Sequence, residues 1–328
     1  MIRIGVLGTA RAVSHGLLAP AKETPGVEVS AVASRTLPKA EAFAARHGIP
    51  RGFGSYEALL ESADIDAVYI ALPPALHFDW ARRAMESGKH VLCEKPLAEN
   101  ARLAQELALS ARQYGRVLVE VMHLRYLDLI HRQRELAVSG QFGKVLRIES
   151  CFRTPYMRMA KDDFRLRFEL GGGAGLDLGC YAVSSVRYLA GEEPEVLSVR
   201  HKRSGPQVDR WMRAMLRFPS GVEGAVEFGF RGFYMPRVGI VVTCEDGWIK
   251  WDGRANALAH SKGRNSQFNH GSARTKPANQ LQLEEFVKSV RGEKSDTLPT
   301  EDAILTARVL DAMYEKAGLA LRGPQQAS

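Results

Sequence analysis

Over residues 1–122, short apolar runs alternate with longer stretches of helical pattern, and no other feature restricts the possible folds as strongly. The runs are Ile2–Leu7, Val27–Ala33, Ala67–Leu72, His90–Cys93 and Val117–Val121. Each has the length of a single strand and carries no polar alternation, as expected of strands covered on both faces. Helical patterns fill the gaps at Pro38–His47, Tyr56–Ser62, Phe78–Ser87 and Ala101–Tyr114, and Gly88 supplies a helix stop. Strand, helix, strand at this spacing predicts a parallel sheet with helices on both sides, the Rossmann arrangement of α/β proteins.

Beyond residue 122 the rhythm changes. A helix is expected over Tyr126–Val138, followed by period-two segments at Val145–Arg153, Val196–Lys202, Met212–Phe218, Val238–Cys244 and Trp248–Trp251. In the segment from Val222, residues Gly224, Val226, Phe228 and Phe230 share one face, while Glu223, Ala225 and Glu227 take the other. Successive strands with few intervening helices predict a large, open, mostly antiparallel sheet in an α+β domain. Helices near Gly179–Leu189, Asn279–Val290 and Glu301–Ala317 are available to cover it. Residues 254–277, polar and aperiodic, are expected to form a mobile loop, and residues 323–328 a frayed tail. With 328 residues the chain has room for two cores, divided here into a nucleotide-binding domain at 1–122 and a substrate-binding and oligomerisation domain at 123–328.

The first strand runs into Gly8-Thr9-Ala10-Arg11. A dinucleotide site needs a tight turn here, so that backbone N–H groups and a helix N-terminus can meet the pyrophosphate. Gly8 fits the first glycine of that fingerprint, whereas Ala10 and Val13 replace the second and third. Taken alone, the motif also fits any glycine turn in an α/β protein. The second strand ends in Ser34-Arg35, with Lys39 close behind. A carboxylate at this point would hold a ribose 2′-hydroxyl and repel a 2′-phosphate. A hydroxyl and two cations suit the phosphate instead, so NADP is expected in preference to NAD.

A net charge of +8 comes from 45 basic against 37 acidic residues, but the basic residues are scattered and match no nucleic-acid motif. The nine histidines lack HxH or HxxxH spacing, so no metal is expected. Cys93, Cys151, Cys180 and Cys244 form no CxxC pair and suggest reduced thiols in a cytoplasmic protein. No apolar run approaches a membrane span, and MIRIGVLG has no secretory layout.

Two further segments are distinctive. One is LPPALHFDWARRAMESGKHVLCEKPLA, with Glu94-Lys95-Pro96; the other is GGGAGLDLGCYAVSSVRYLAG. With the opening turn, and in this order, they make the chain resemble the glucose–fructose oxidoreductase/inositol dehydrogenase (Gfo/Idh/MocA) family over nearly its whole length. It is most similar to the branch that includes dimeric dihydrodiol dehydrogenases and xylose dehydrogenases, where a tyrosine, here Tyr181, replaces a histidine. The resemblance implies an oxidoreductase that moves a hydride between nicotinamide and a hydroxyl or carbonyl carbon of a sugar, polyol or cyclic diol. It implies catalytic roles for Lys95, Tyr181 and Asp177, and a cis bond before Pro96. It places Leu72, Pro73, His77 and Glu94 along the cofactor groove, with Phe164 and Arg165 reaching towards the cofactor from the second domain. It also implies a homodimer or homotetramer formed through the second sheet. Pro74 departs from the asparagine common in relatives.

The side chains agree with that chemistry. A phenol is a poor base near neutrality, with a pKa of about 10, and a nearby ammonium lowers that value. Asp177 and Tyr181 are four apart and would share one face of a helix. The glycines from Gly171 to Gly175 would let that helix approach a nicotinamide closely. Without the resemblance, Tyr181 reads more readily as a half-buried core tyrosine than as a catalytic one. Two other functions fit the same scaffold: an enzyme that retains its cofactor through a transient redox step, and a non-catalytic NADP-binding regulator.

Overall fold

The computed structural model describes residues 1–155, 162–230, 236–263, 265–270 and 276–323. The chain forms two compact units, one of residues 1–98, 102–123 and 276–303, the other of residues 99–101, 124–275 and 304–328.

The first unit opens with β1 (Ile2–Leu7), then a π-helical turn at Ser14–Leu18 that continues into α1 (Ala19–Glu23). It goes on through β2 (Val27–Ala33), α2 (Leu37–His47), β3 (Arg51–Phe53) and α3 (Tyr56–Leu60). β4 (Ala67–Ile70), α4 (His77–Glu86), β5 (His90–Glu94), α5 (Ala101–Tyr114) and β6 (Leu118–Val121) complete the alternation. The six strands are all parallel and lie in the order β3-β2-β1-β4-β5-β6. All four residues of β4 are fully buried, which is why its run shows no alternation. α2 carries Pro38 in its first turn and stops at Gly48, whose φ is +68°. The three-residue edge strand β3 is too short to leave a periodic signal and was not anticipated.

The second unit contains α6 (Asp128–Val138), β7 (Val145–Thr154) and α7 (Cys180–Ala190). Seven strands follow: β8 (Glu195–Arg203), β9 (Asp209–Arg217), β10 (Glu223–Phe230), β11 (Arg237–Cys244), β12 (Gly247–Asp252), β13 (Ala257–Lys262) and β14 (Asn265–His270). They pair with β7 in one sheet of order β14-β13-β12-β11-β7-β10-β9-β8, antiparallel except for β7 with β10. Ile148, Ser150 and Phe152 of β7 and Val226 and Phe228 of β10 are buried on the side where the Ser150 hydroxyl donates to the Ala182 carbonyl of α7 at 2.8 Å. The other side carries ion pairs such as Arg147–Glu149 and Arg153–Glu227, the alternation expected of a one-sided sheet.

Two expectations need correction. Within residues 254–277, expected to be a loop, β13 and β14 form antiparallel strands. Ala257–Ser261 are buried on both faces and, apart from Leu258, are small or polar, so they carry no period-two signature. Residues 264 and 271–275 of that segment, and 324–328 of the expected tail, lie outside the described residues. The second correction concerns α8 (Ala278–Val290), expected in the substrate domain. Leu283, Phe286 and Val287 instead join Ile2, Ile4, Leu17 and Val119 in the core of the first unit. Burying a phenylalanine such as Phe286 contributes about 2 kcal/mol, which favours this placement over any boundary drawn by sequence order. α9 (Thr300–Lys316) then crosses from the first unit into the second.

Candidate active site

The strand order of the first unit reverses between β1 and β4. In open parallel sheets a ligand crevice lies beyond the strand ends at such a point. Gly8 leaves β1 there with φ +103°, and a Cβ on it would come 2.6 Å from the Ala71 carbonyl and 2.9 Å from Leu72. Backbone conformation and space therefore both demand glycine. Among the described residues none accepts a hydrogen bond from the backbone N–H of Thr9, Ala10 or Arg11. These donors fit the anionic pyrophosphate of a dinucleotide. Ala10 and Arg11 are exposed and Thr9 is half-buried.

The third fingerprint glycine normally permits close packing of helix on strand. Val13 cannot serve that purpose, but Gly16, in the π-helical turn, sits against the Tyr69 hydroxyl so closely that a Cβ would clash. The Tyr69 hydroxyl in turn donates to Glu94 Oε1 at 2.5 Å. Gly16 and Tyr69 were not picked out from the sequence, because the altered spacing hides the first and burial hides the second.

After β2, Ser34 is buried and its N–H donates to the Phe53 carbonyl at 3.1 Å, while Arg35 and Lys39 are exposed. The positive charge of Arg35 acts on the half-buried Tyr56 hydroxyl, whose pKa burial raises and Arg35 lowers. No carboxylate stands directly after β2 to repel a 2′-phosphate, so these residues fit NADP.

His77 is buried where α4 begins. Its Nδ1 lies 2.7 Å from the Pro96 carbonyl and its Nε2 lies 2.9 Å from the Leu72 carbonyl. Burial pushes its pKa down, the two carbonyls oppose this, and the charge of Lys95 lowers it further. His77 thus ties the end of β4 to the Lys95–Pro96 peptide, which is cis. The Leu97 N–H donates to the buried Glu120 at 2.7 Å, fixing the same segment from β6. His123, just after β6, is held neutral: burial and then the charge of Lys95 push its pKa down to about 4.

In the second unit, Arg165 donates from Nε to Asp177 at 2.9 Å and from NH1 to Asp163 at 3.2 Å, with its guanidinium 4.6 Å from the Phe164 ring centroid. Asp177 lies in the π-helical turn Gly175–Gly179, which leads into α7 and Tyr181. From Gly175 to Arg187, only Asp177 and Tyr181 are not buried, so the two share the accessible side. Tyr181 stacks on Phe152 at 5.8 Å and 16°. The glycine run that precedes them serves the protein's own interior. A Cβ on Gly172 would meet the Arg167 and Phe164 carbonyls at 2.5 and 2.6 Å, and Gly173 and Gly175 face Asp209 and Tyr314.

Ser184, Ser185 and Arg125 are buried. Arg125 donates to Ser184 at 3.2 Å and lies over the Tyr188 ring, while Ser185 donates back to the Tyr181 carbonyl at 2.7 Å. The first unit thus gathers Gly8, Leu72, His77 and Pro96; the second gathers Phe164, Arg165 and Asp177, with Tyr181 one turn on.

Residues 2–123 match the oxidoreductase family with an NAD-binding Rossmann fold, and residues 130–250 match the GFO/IDH/MocA C-terminal domain. The chain belongs to the Gfo/Idh/MocA oxidoreductase family. Within it, the chain is 32% identical to D-xylose 1-dehydrogenase (NADP(+)) 2 of Haloferax volcanii over 320 residues, which is 95% of this chain and 96% of the relative. It is 36% identical over 225 residues to trans-1,2-dihydrobenzene-1,2-diol dehydrogenase of Xenopus laevis, 68% of this chain and 67% of that one. Among solved structures, a 3-ketoreductase from Actinomadura kijaniata in complex with NADP and TDP-benzene superposes with TM-score 0.88 at 26% identity, covering 96% of this chain and 97% of that one.

Proposed function

We propose that this chain is an NADP-dependent oxidoreductase that moves a hydride between nicotinamide and a hydroxyl or carbonyl carbon of a sugar, polyol or cyclic diol. The observation that carries the reading is the turn at Gly8, built against Ala71 and Leu72 at the point of strand reversal, with Arg35 in place of an acid after β2. The relatives named for NADP, xylose and dihydrodiol chemistry support it.

The hydride chemistry belongs to the nicotinamide. The chain's own task is to bind, orient and handle a proton. The N–H groups of Thr9, Ala10 and Arg11 would take the pyrophosphate, and Ser34, Arg35 and Lys39 the 2′-phosphate. Leu72 and Pro73 would border the groove, with His77 acting behind them on the two carbonyls it meets. Glu94, held by Tyr69, would fix the start of the Lys95 segment. On the second unit, Phe164 and Arg165 would present Asp177. We assign Tyr181 the proton transfer, with Lys95 as its cationic partner and Asp177 orienting substrate; residue types and the family pattern support these roles.

The test is Tyr181→Phe with a panel of aldoses, inositols and cyclic diols read through NADPH. Turnover should fall by about 10²–10⁴ while NADPH affinity is unchanged. Undiminished turnover would remove Tyr181 from the reaction. The four free cysteines, three of them buried, support a reducing compartment such as the cytoplasm. Among the described residues no helix is long and apolar enough to cross a membrane. The family pattern and the ion-paired open face of the eight-stranded sheet support assembly into a homodimer or homotetramer.

A further inference from the structure

The second unit holds a buried polar cluster that no part of the proposed reaction uses. Asp209, the first residue of β9, and Arg322, near the C-terminus, have no exposed side-chain surface and pair at 2.7 Å. Asp209 Oδ1 also accepts from the Tyr314 hydroxyl of α9 at 3.0 Å, and its Oδ2 accepts the Gly175 N–H at 2.7 Å. Arg322 donates through Nε and NH2 to the Gly172 carbonyl at 3.2 and 3.1 Å, and through NH2 to the Gln207 carbonyl at 3.1 Å. Its guanidinium lies over the rings of Tyr314 and Phe168, 4.4 and 5.0 Å from their centroids. The Arg322 carbonyl accepts from Asn100 Nδ2 at 2.7 Å.

One ion pair thus grips a carbonyl and an amide three residues apart on the same glycine run. Gly173, at φ +132°, and Gly175 leave the space that the Asp209 carboxylate and the Tyr314 hydroxyl occupy. Any side chain at either position would collide with the cluster. The Gly175 amide is the first N–H of the π-helical turn that carries Asp177 and runs into α7 with Tyr181. A carboxylate at that amide satisfies a helix-end donor and favours the helix dipole. Burying two charges is costly, and an apolar core of the same volume is often at least as stable. What the pair supplies beyond stability is a fixed direction for two backbone groups.

We infer that Arg322 and Asp209 are positioning residues, which set the entry of the helix bearing Asp177 and Tyr181 by clamping the Gly172 carbonyl and the Gly175 amide. The inference rests on the proposed roles of Asp177 and Tyr181. Lysine at 322 would neutralise Asp209 but lacks the fork that reaches Gly172 and Gln207 together.

The experiment compares the full chain with Arg322→Lys, Arg322→Ala and Tyr314→Phe, well below each unfolding midpoint. For Arg322→Lys we expect a lowered unfolding midpoint, because buried carbonyls lose their donors, NADPH affinity close to parental, and kcat at temperatures where the variant is folded lowered about tenfold or more, in line with the cost of small misplacements. Amide exchange in residues 171–181 should quicken. Tyr314→Phe, which leaves the ion pair in place, should show the same changes in weaker form. Guanidinium at millimolar concentration should restore turnover to Arg322→Ala if that variant folds. Parental turnover and parental exchange in both Arg322→Lys and Tyr314→Phe would overturn the inference. Undiminished turnover in Tyr181→Phe, measured alongside, would sink the acid–base assignment alone, since the exchange readout does not depend on it.

Discussion

Replacing Gly8 with alanine tests whether the turn at the strand reversal is built by backbone geometry. The residue sits at φ +103°, and the new Cβ would stand 2.6 Å from the Ala71 carbonyl oxygen and 2.9 Å from Leu72. Gly48, which ends α2 at φ +68° with nothing within 4 Å of an added Cβ, isolates the backbone contribution. Gly48→Ala should cost about 1 kcal/mol, the ordinary penalty for a side chain in the left-handed region. Gly8→Ala carries at least that penalty, together with about 1–3 kcal/mol for overpacking. The contact is with backbone, so no side-chain rotation relieves it. The sum is about 2–4 kcal/mol, or roughly 1–3 beyond Gly48→Ala. Relief requires β1 and the β4 loop to part, which would move the N–H groups that follow Gly8. Denaturant unfolding of both variants gives the stability difference, and quenching of protein fluorescence by NADPH gives affinity. We expect Gly8→Ala to lose about tenfold or more in NADPH affinity while Gly48→Ala loses none. Equal destabilisation of the two variants, or parental NADPH binding by Gly8→Ala, would refute the steric argument.

Two further outcomes are expected. Arg35→Asp should weaken NADPH far more than NADH, by about 1–3 kcal/mol of selectivity; equal weakening in parallel titrations would remove Arg35 from the 2′-phosphate. Glu99 is buried beside Arg322, and burial lifts its carboxyl to about 7 from an ordinary 4.5, with Arg322 opposing. The folded state therefore holds a proton that the unfolded state releases, so this group's contribution to stability is intact below about pH 4.5 and is lost as pH rises towards about 7. Relative to the parent, Glu99→Gln should gain about 3 kcal/mol between pH 4.5 and 8. The histidines whose pKa burial lowers, His77, His90 and His123, act in the opposite sense, losing stability towards acid, and cancel in this comparison. A difference between the two proteins that stays flat with pH would show that Glu99 ionises freely in the fold.

The parts of the molecule that could be read in advance are those where one local rule decides. Unbroken apolar runs such as Ala67–Ile70 announce strands covered on both faces, and Gly8 announces a turn. β13 escaped because residues 257–261, apart from Leu258, are small or polar and all are buried, so no face of the strand differs from the other. The glycines before Asp177 were legible as glycines, but the side chains that require them were not. Asp209 and Arg322 stand 34 and 147 residues beyond Gly175, and nothing local marks either as buried. Gly16 was hidden by a π-helical turn that displaces it three residues from the expected fingerprint position.

The return of residues 276–303 to the first unit bears on how this enzyme is made. As the chain leaves the ribosome, the nucleotide-binding sheet is synthesised by residue 121, but Leu283, Phe286 and Val287 are not yet available to close its core. A nascent or recombinant fragment ending near residue 123 would expose the apolar surface that α8 covers and invite aggregation. The half that binds nucleotide and the half that carries Tyr181 are therefore woven from a common thread, and neither can be cut out as a single uninterrupted stretch.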